Sequence, residues 1–529
     1  MRLTNSRRCS TVDGDGKELA PPFRNPFVHD LRFTPMQKAK IAIMSVTLFP
    51  IRLFFAAFLM LLAWPFAFVA TVGRTDQVVE PLCWWRRLMD LALKVIMRAM
   101  WFAGGFHWIT VKGRQAPPSE APILTLAPHS SYFDAIPVTM TMASIVMKAE
   151  SKDIPVWGTL IKFIRPVFVS RSDQDSRRKT VEEIRRRAHS GGEWPQIMIF
   201  PEGTCTNRSC LITFKPGAFI PAVPVQPVVL RYPNEMDTIT WTWQGPGAFK
   251  ILWLTLCQLH NVVEIEFLPI YTPSDEEKKN PALFANNVRR LMAKALEVPV
   301  TDYSFEDCQL AMAEGQLRLP IDTCLLEFAK LIRRLGLKPR KSEEVLREYG
   351  SRAKKVRGER LTLDDFAEYL NLAVSETLRD MFSLFDEHED GTMDIREYVI
   401  ALSVVCRPSK TLETIKLAFT MFEAEEDGAI VEDELACILK TALGVSDLNV
   451  ADLFSAIDLQ DKGKITFEEF QSFAEQHPDF AEEFLYPHQS GFHNGGDIPS
   501  PTAMCNGFCT DFAPDEHTGA GDESRKKVD

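Results

Sequence analysis

The chain has 529 residues, too many for one hydrophobic core, so two or three domains are expected. Its net charge of −11 hides a division: residues 1–300 carry 36 Lys and Arg against 25 Asp and Glu, whereas residues 301–529 carry 24 against 46. Eleven scattered cysteines exclude a disulfide-built secreted scaffold, and the basic half lacks the zinc-finger spacing or RNA-binding motif that would make nucleic acid a partner.

A basic half suits an anionic substrate or a lipid surface, and an acidic half suits solubility or cation binding. Residues 1–40 lead into an apolar stretch, 41–73, in which Arg52 is the one charge. Leu53 to Gly73 alone gives 21 uncharged residues, against the roughly 20 that cross a bilayer. More basic residues precede the stretch than follow it, which places the N-terminal segment in the cytosol. A single span would then leave the remainder lumenal. The terminal Lys526-Lys527-Val528-Asp529 opposes that, because it resembles the dilysine endoplasmic-reticulum retrieval signal, which is read in the cytosol. So does the sequon Asn207-Arg208-Ser209, whose glycan would sit among candidate active-site residues. Pro50 and Pro65 can break the run, so 41–73 reads as a membrane anchor or, the favoured alternative, a re-entrant hairpin. Leu88 to Met100 follows as an interfacial amphipathic or core helix.

Residues 74–300 alternate short apolar runs with helical patterns. Ile123–Ala127, Gln196–Phe200, Val225–Leu230 and Val263–Ile270 read as strands, and Arg177–His189 and Ala285–Leu296 as helices. That alternation predicts an α/β domain with a mixed or mostly parallel sheet, whose chemistry lies in loops beyond the strand ends. Two such loops carry unusual residues. The first is His129-Ser130-Ser131-Tyr132-Phe133-Asp134, a base and a carboxylate five residues apart. On one helix the two would diverge by about 140°, so the segment must curl for Asp134 to orient the imidazole; a polar loop satisfying its own backbone is the alternative. The second is Phe200-Pro201-Glu202-Gly203-Thr204-Cys205. Arg171 ends a further apolar stretch, where its guanidinium could hold a phosphate, and Lys215 adds a cation beside a turn. The run Arg185-Arg186-Arg187 reads as a solvated helix face. Prolines in Val223-Pro224-Val225-Gln226-Pro227-Val228 imply an edge strand or a pocket wall.

Residues 301–375 read as a helical linker region, 376–486 as an all-α EF-hand-like domain and 487–529, rich in Gly, Ser, Pro and Asp, as a disordered tail. Asp386, His388, Asp390, Thr392, Asp394 and Glu397 occupy ligand positions one, three, five, seven, nine and twelve of a calcium loop, with Gly391 at the sixth. Glu423–Glu434 and Asp458–Glu469 repeat the pattern with wrong ligands, notably Lys462, and read as hands that pair without metal. Calcium is therefore expected at the first loop alone.

The blocks His129–Asp134, Gly158–Arg171, Phe200–Cys205 and Val223–Val228 stand in the order found in the glycerophospholipid acyltransferases, and the chain resembles that family. The resemblance implies acyl-CoA as co-substrate, a lysophospholipid acceptor and no catalytic cofactor. It gives His129 the role of general base held by Asp134, and Arg171, Glu202, Gly203, Thr204 and Cys205 the lysolipid phosphate and glycerol region. Amides of the turn or of the following helix would steady the oxyanion, and the basic run after Arg171 would attract the CoA phosphates. No Gly-x-Ser-x-Gly elbow accompanies Ser130 or Ser131, so transfer is expected without an acyl-enzyme. Cys205 stands where Arg is commonest in the third block, which points to the lysophosphatidylcholine-acylating branch, with acetyl transfer to lyso platelet-activating factor as a second reaction. Another acceptor such as lysophosphatidate, or a calcium-sensing membrane adaptor with a vestigial catalytic domain, are the alternatives. The implied location is the endoplasmic reticulum membrane, with the Golgi and lipid droplet surfaces as further destinations.

Overall fold

Thr34 starts the first helix. Its hydroxyl accepts from Gln37 N at 3.3 Å while the Gln37 side chain accepts from Thr34 N at 2.9 Å, a reciprocal cap completed by Pro35 at the first helical position. In this computed structural model, which describes residues 25–74, 84–148, 154, 156–169, 174–311, 319–320, 323–337, 360–408, 410–423, 428–477 and 480–485, the helix α1 (Pro35–Thr71) runs unbroken through Pro50 and Pro65. The break expected at those prolines does not occur. Ending a helix in apolar surroundings would orphan several amides where no water replaces them, whereas each proline forfeits one bond. At 37 residues α1 is about 55 Å long, more than the ~30 Å hydrocarbon layer requires, and it is apolar enough to cross a membrane. Ile43, Val46, Phe54, Phe58, Leu61 and Phe68 are among the side chains it leaves exposed.

Ala63, Ala67 and Ala70 form a small-residue stripe on α1 that packs with Leu93 and Ile96 of α2 (Trp84–Ala103) and with Phe163. Arg52, the one charge of the run, is buried and spends its guanidinium on the carbonyls of Leu256, Gln258 and Leu259. Those carbonyls lie at the C-terminus of a later helix, where backbone acceptors lack intrahelical donors and favour a cation. The charge thus fastens the apolar helix to the domain that follows.

Contacts divide the chain into two units, one formed chiefly by Leu31–Trp241 and Ala248–Val300, the other by Thr301–Ile498 with Thr242–Gly247. Among the described residues the first holds seven strands: β1 (Ile109–Lys112), β2 (Ile123–Ala127), β3 (Ser144–Lys148), β4 (Val167–Val169), β5 (Ile197–Ile199), β6 (Val225–Arg231) and β7 (Val263–Phe267). Their order is β1-β7-β6-β2-β5-β3-β4, and only β6 and β7 pair antiparallel. The mixed sheet is as the alternation predicts. β2 is wholly buried, which is why it reads as a continuous apolar run rather than an alternating one. Its helices include α3 (Ile136–Thr141), α4 (Trp157–Phe163), α5 (Gln174–Ala188) and α6 (Ala248–Leu256).

β6 lies inside the sheet, not at the edge that its prolines suggest. Val225 is bridged to Tyr271 but Val228 pairs with Phe267, leaving two residues of β6 opposite three of the partner. Pro227 stands opposite this bulge in the partner, where the regular ladder does not need its missing N–H.

In the second unit the stretch expected to be a linker is part of the core. Leu325, Phe328 and Ile332 of the helix Leu325–Arg334, and Phe366 of Leu363–Leu370, are buried with Phe385 and Tyr398 in one cluster. β8 (Arg360–Thr362) pairs antiparallel with β9 (Thr392–Asp394) of the first loop, just as β10 (Ala429–Ile430) pairs with β11 (Ile465–Thr466) of the second and third. Thr362 then caps Leu363–Leu370, the strand-then-helix exit of a hand. Four hand-like exits therefore pair two by two, and the first of them lacks the ligand pattern that would reveal it in sequence. Gly391, Gly428 and Gly463, the sixth residue of each recognised loop, have φ of +76°, +72° and +70°, a turn that a side chain would strain.

Candidate active site

β2 ends at Ala127 and delivers His129 to the C-terminal edge of the sheet, beside Phe200 from the end of β5. The curl demanded by the His–Asp spacing is a single 3-10 turn, Tyr132–Ala135, capped by Ser131. Asp134 faces back across that turn. Its Oδ2 receives His129 Nδ1 at 2.8 Å together with the amides of Ser130 at 2.6 Å and Ser131 at 3.0 Å. Its Oδ1 receives the Tyr232 hydroxyl at 2.6 Å. His129 and Asp134 are both about 1% exposed, so this pair sits in a low-dielectric setting where such bonds are strong. The Ser130 and Ser131 amides, expected to be available to an oxyanion, are committed to fixing the carboxylate.

The second loop braces the first. Glu202, fully buried, accepts from His129 N at 2.6 Å and from Ile212 N at 3.4 Å. Burial pushes its carboxyl up to about 7 against the lowering effect of those amides. Thr206 N donates to His129 O at 2.7 Å, so both backbone polar groups of the histidine are held by the same loop. Gly203 has φ +74°, and a Cβ there would stand 3.0 Å from Lys215 Cε, so both conformation and space favour glycine. Thr204 and Cys205 are 6% and 3% exposed, and Cys205 belongs to the core on that side of the sheet. The loop expected to bind the lysolipid phosphate and glycerol thus turns its side chains inward. Arg171 lies outside the described residues.

The structure adds residues that the sequence reading missed. Tyr232, one residue beyond β6, is buried, and its phenol is pushed well above the ordinary range by burial and by Asp134, so it remains a donor. Arg208 lies over the Tyr232 ring at 5.2 Å and pairs with Asp237 at 2.7 Å. Nothing in the local sequence announces these partners, since Tyr232 and Asp134 are 98 positions apart. Arg186 and Arg187 stack on Trp194 at 4.7 and 4.2 Å near the C-terminal end of α5, and Glu183 binds both. Because α5 runs back from the end of β4 towards the start of β5, this end is remote from His129, while Arg178 and Lys179, both exposed, lie nearer the N-terminal end.

Directly beyond Asp134 an almost wholly apolar cavity opens. Ala135, Val138, Leu93, Met97, Trp157 and Leu160 line it, and it contains about 570 Å³ of empty space including its mouth.

In the second unit the first calcium loop keeps its frame but not a gathered donor set. Asp386 accepts from the amides of Asp390 and Gly391, both at 3.1 Å. Arg396 holds Asp394 through Nε and Nη2 at 2.9 and 2.6 Å, and Arg360 Nη2 lies 3.5 Å from Asp390. Among the described residues no three His, Cys, Asp or Glu side chains converge on a cation-sized point. In the third loop Lys462 Nζ meets Glu469 at 2.6 Å, placing an ammonium against the twelfth-position carboxylate.

Comparison with known proteins matches two family models: Acyltransferase over residues 108–231 and EF-hand domain pair over 426–477. The EF-hand match begins within the second loop and takes in the third, and does not reach the first. Lysophosphatidylcholine acyltransferase 1 of Danio rerio is 71% identical over 518 residues, covering 98% of this chain and 99% of that protein. The protein of the same name from Homo sapiens is 67% identical over 516 residues, with 97% and 96% covered. Lysophosphatidylcholine acyltransferase 2 of Homo sapiens is 50% identical over 466 residues, with 88% and 85% covered. With a histidine–carboxylate pair at the sheet edge, an apolar cavity beside it and relatives this similar along their whole length, the chain belongs to the lysophosphatidylcholine acyltransferase family.

Proposed function

We propose that the chain transfers an acyl group from acyl-CoA to the free hydroxyl of lysophosphatidylcholine at a membrane surface. The observation that carries this is the buried His129–Asp134 bond at 2.8 Å, braced by the second loop, in a turn whose next residue, Ala135, lines an apolar cavity. Asp134 fixes Nδ1 as the protonated nitrogen, so Nε2 is the basic atom. Nε2 takes the proton of the lysolipid hydroxyl as that oxygen bonds to the thioester carbonyl carbon. When the intermediate collapses, the carbon–sulfur bond breaks and the imidazolium returns the proton to the leaving CoA thiolate. Asp134 stabilises the imidazolium between the two steps. Ser131 Oγ caps the turn by accepting from Phe133 N at 3.1 Å, and direct transfer requires no acyl-enzyme on either serine.

The apolar lining suits an acyl chain, and each methylene buried there would contribute about 0.8 kcal/mol. Leu160→Trp, which narrows the lining, is expected to lower kcat/KM for long acyl-CoA by about tenfold relative to a short one. An unchanged chain-length profile would place the acyl group elsewhere. The whole reading is tested by supplying purified chain with labelled acyl-CoA and a panel of lysolipids. Absence of transfer to any of them would refute it and favour an adaptor, and preference for lysophosphatidate would replace the acceptor. Arg178 and Lys179 suit the CoA phosphates. The apolar α1 and the amphipathic α2 suit the endoplasmic reticulum membrane, and Lys526-Lys527 suits retrieval to it.

A calcium ion at the first loop is a second reading, favoured by four carboxylates, Asp386, Asp390, Asp394 and Glu397, at EF-hand spacing. Arg396 and Arg360 compete for two of them, so binding would be weak. Arg396→Ala is expected to tighten calcium binding about tenfold in titration calorimetry, by releasing Asp394. No change in affinity would remove Asp394 from the ligand set.

A further inference from the structure

Cys205 leaves the third block without its commonest cation, yet a cation stands nearby. Arg208 follows two residues after Thr206, whose amide holds His129 O. Its backbone has φ +64°, a left-handed conformation uncommon for a residue with a side chain. The preceding Asn207 makes the turn, accepting from Ser209 N at 3.1 Å and Ser209 Oγ at 2.6 Å. Such a conformation is kept only where surrounding structure enforces it, and here it carries the guanidinium onto Tyr232. Tyr232 in turn donates to Asp134, so one aromatic ring separates Arg208 from the carboxylate that orients His129.

The guanidinium is half used. Nη2 meets Asp237 Oδ2 at 2.7 Å, while Nη1 is buried and has no hydrogen-bond partner. A buried donor on a charged group is costly to leave unmet, so Nη1 calls for an acceptor. The Asp237 side chain is 32% exposed and is steadied by Thr240, whose N and Oγ1 donate to it at 3.2 and 2.7 Å. A cation with an unmet donor beside a partly exposed carboxylate is complementary to a zwitterion.

We infer that Arg208 and Asp237 form the headgroup subsite, Arg208 Nη1 taking the phosphate of the acceptor and Asp237 facing its quaternary ammonium. This rests on the acyltransferase reading above and adds to it the source of the choline preference. A quaternary ammonium has no N–H to donate, so it is recognised by charge rather than by a hydrogen bond, and a carboxylate supplies that charge. The same carboxylate repels a phosphomonoester, which brings more negative charge and no cation. A neutral pair therefore selects a zwitterionic headgroup where a lone arginine would select an anionic one.

The test uses the full-length chain in lipid nanodiscs, one acyl-CoA, and lysophosphatidylcholine or lysophosphatidate as acceptor. Asp237→Asn is expected to lower the ratio of kcat/KM for the choline acceptor over lysophosphatidate by about tenfold, through KM. Arg208→Gln is expected to raise KM for both acceptors, and Arg208→Lys to recover part of the loss because it keeps the charge. Equal losses for both acceptors, confined to kcat and shared by Arg208→Lys, would mean that the pair only holds Tyr232 and its loop, and would overturn the assignment. Inactivity of the unsubstituted chain towards every acceptor would instead remove the acyltransferase reading and this subsite with it.

Discussion

Replacement of His129 by alanine is expected to lower kcat for acyl transfer by at least about a thousandfold, with membrane association retained. General-base catalysis by a positioned imidazole contributes about 10²–10⁴-fold, and here the imidazole has been given one job. Its ring nitrogen Nδ1 is bound to Asp134, its backbone N–H to Glu202 and its carbonyl to Thr206. Few degrees of freedom remain in which a water could stand in for it. Asp134→Asn should approach the same loss, because an amide can present its N–H to Nδ1 and stabilise the wrong tautomer. The double variant should be little worse than either single one, since the two residues act as a unit. The measurement is kcat at saturating lysolipid, paired with flotation of the variant on vesicles. Retention of more than about a tenth of the activity would refute the base assignment.

Glu202 gives the second large effect, and its sign depends on pH. The group titrates near 4.5 in an unfolded chain and at about 7 in the folded one, chiefly because burial disfavours its charge. The folded state therefore holds this proton more tightly than the unfolded state does. Stability from the protonated form is fully present below about pH 4.5 and is lost as pH rises through 7, an amount on the order of 3 kcal/mol. Glu202→Gln removes the titration but keeps one acceptor for the His129 amide. Its thermal midpoint should match that of the parent in acid and exceed it above pH 7, the two diverging between about pH 4.5 and 7. Glu202→Ala leaves the His129 amide unmet in a dry site and should lose about 10²-fold in kcat as well as stability at every pH. If the parent and Glu202→Gln melt with the same pH dependence from 4.5 to 8, the carboxyl is not titrating in this range. If Glu202→Ala keeps full activity, the brace has no part in placing the base.

These effects follow from tertiary neighbours that the sequence displayed unevenly. The run Ile123–Ala127 is legible as a strand because it is buried on both faces and so is uninterrupted by polar residues. β3 and β4 each close an apolar run that begins in a helix, α3 or α4, so local pattern does not separate strand from helix there. The prolines of β6 pointed to an edge because proline forbids a regular ladder, and the bulge that accommodates Pro227 in an inner strand depends on the register of β7, which no local pattern records. The hairpin expected in 41–73 fails for a related reason. Proline weakens a helix locally, but whether the helix breaks depends on what surrounds it, and here α2 and the carbonyls bound by Arg52 support it.

Sequence alone determined the division into a basic acyltransferase half and an acidic hand-bearing half, because charge and block order are properties of the chain itself. It also determined that His129 and Asp134 could meet only through a turn, since their spacing permits no helical face in common. The tertiary structure decided what those residues lean on: Tyr232 on Asp134, Glu202 beneath His129, and Arg208 between Tyr232 and Asp237. Each of these pairs is remote in sequence, and hydrogen bonds formed after the chain closes on itself leave no periodicity to read. The same holds for Cys205. As a letter it marks a missing cation, whereas the fold buries it and brings Arg208 from three residues further onto Tyr232, the partner of Asp134.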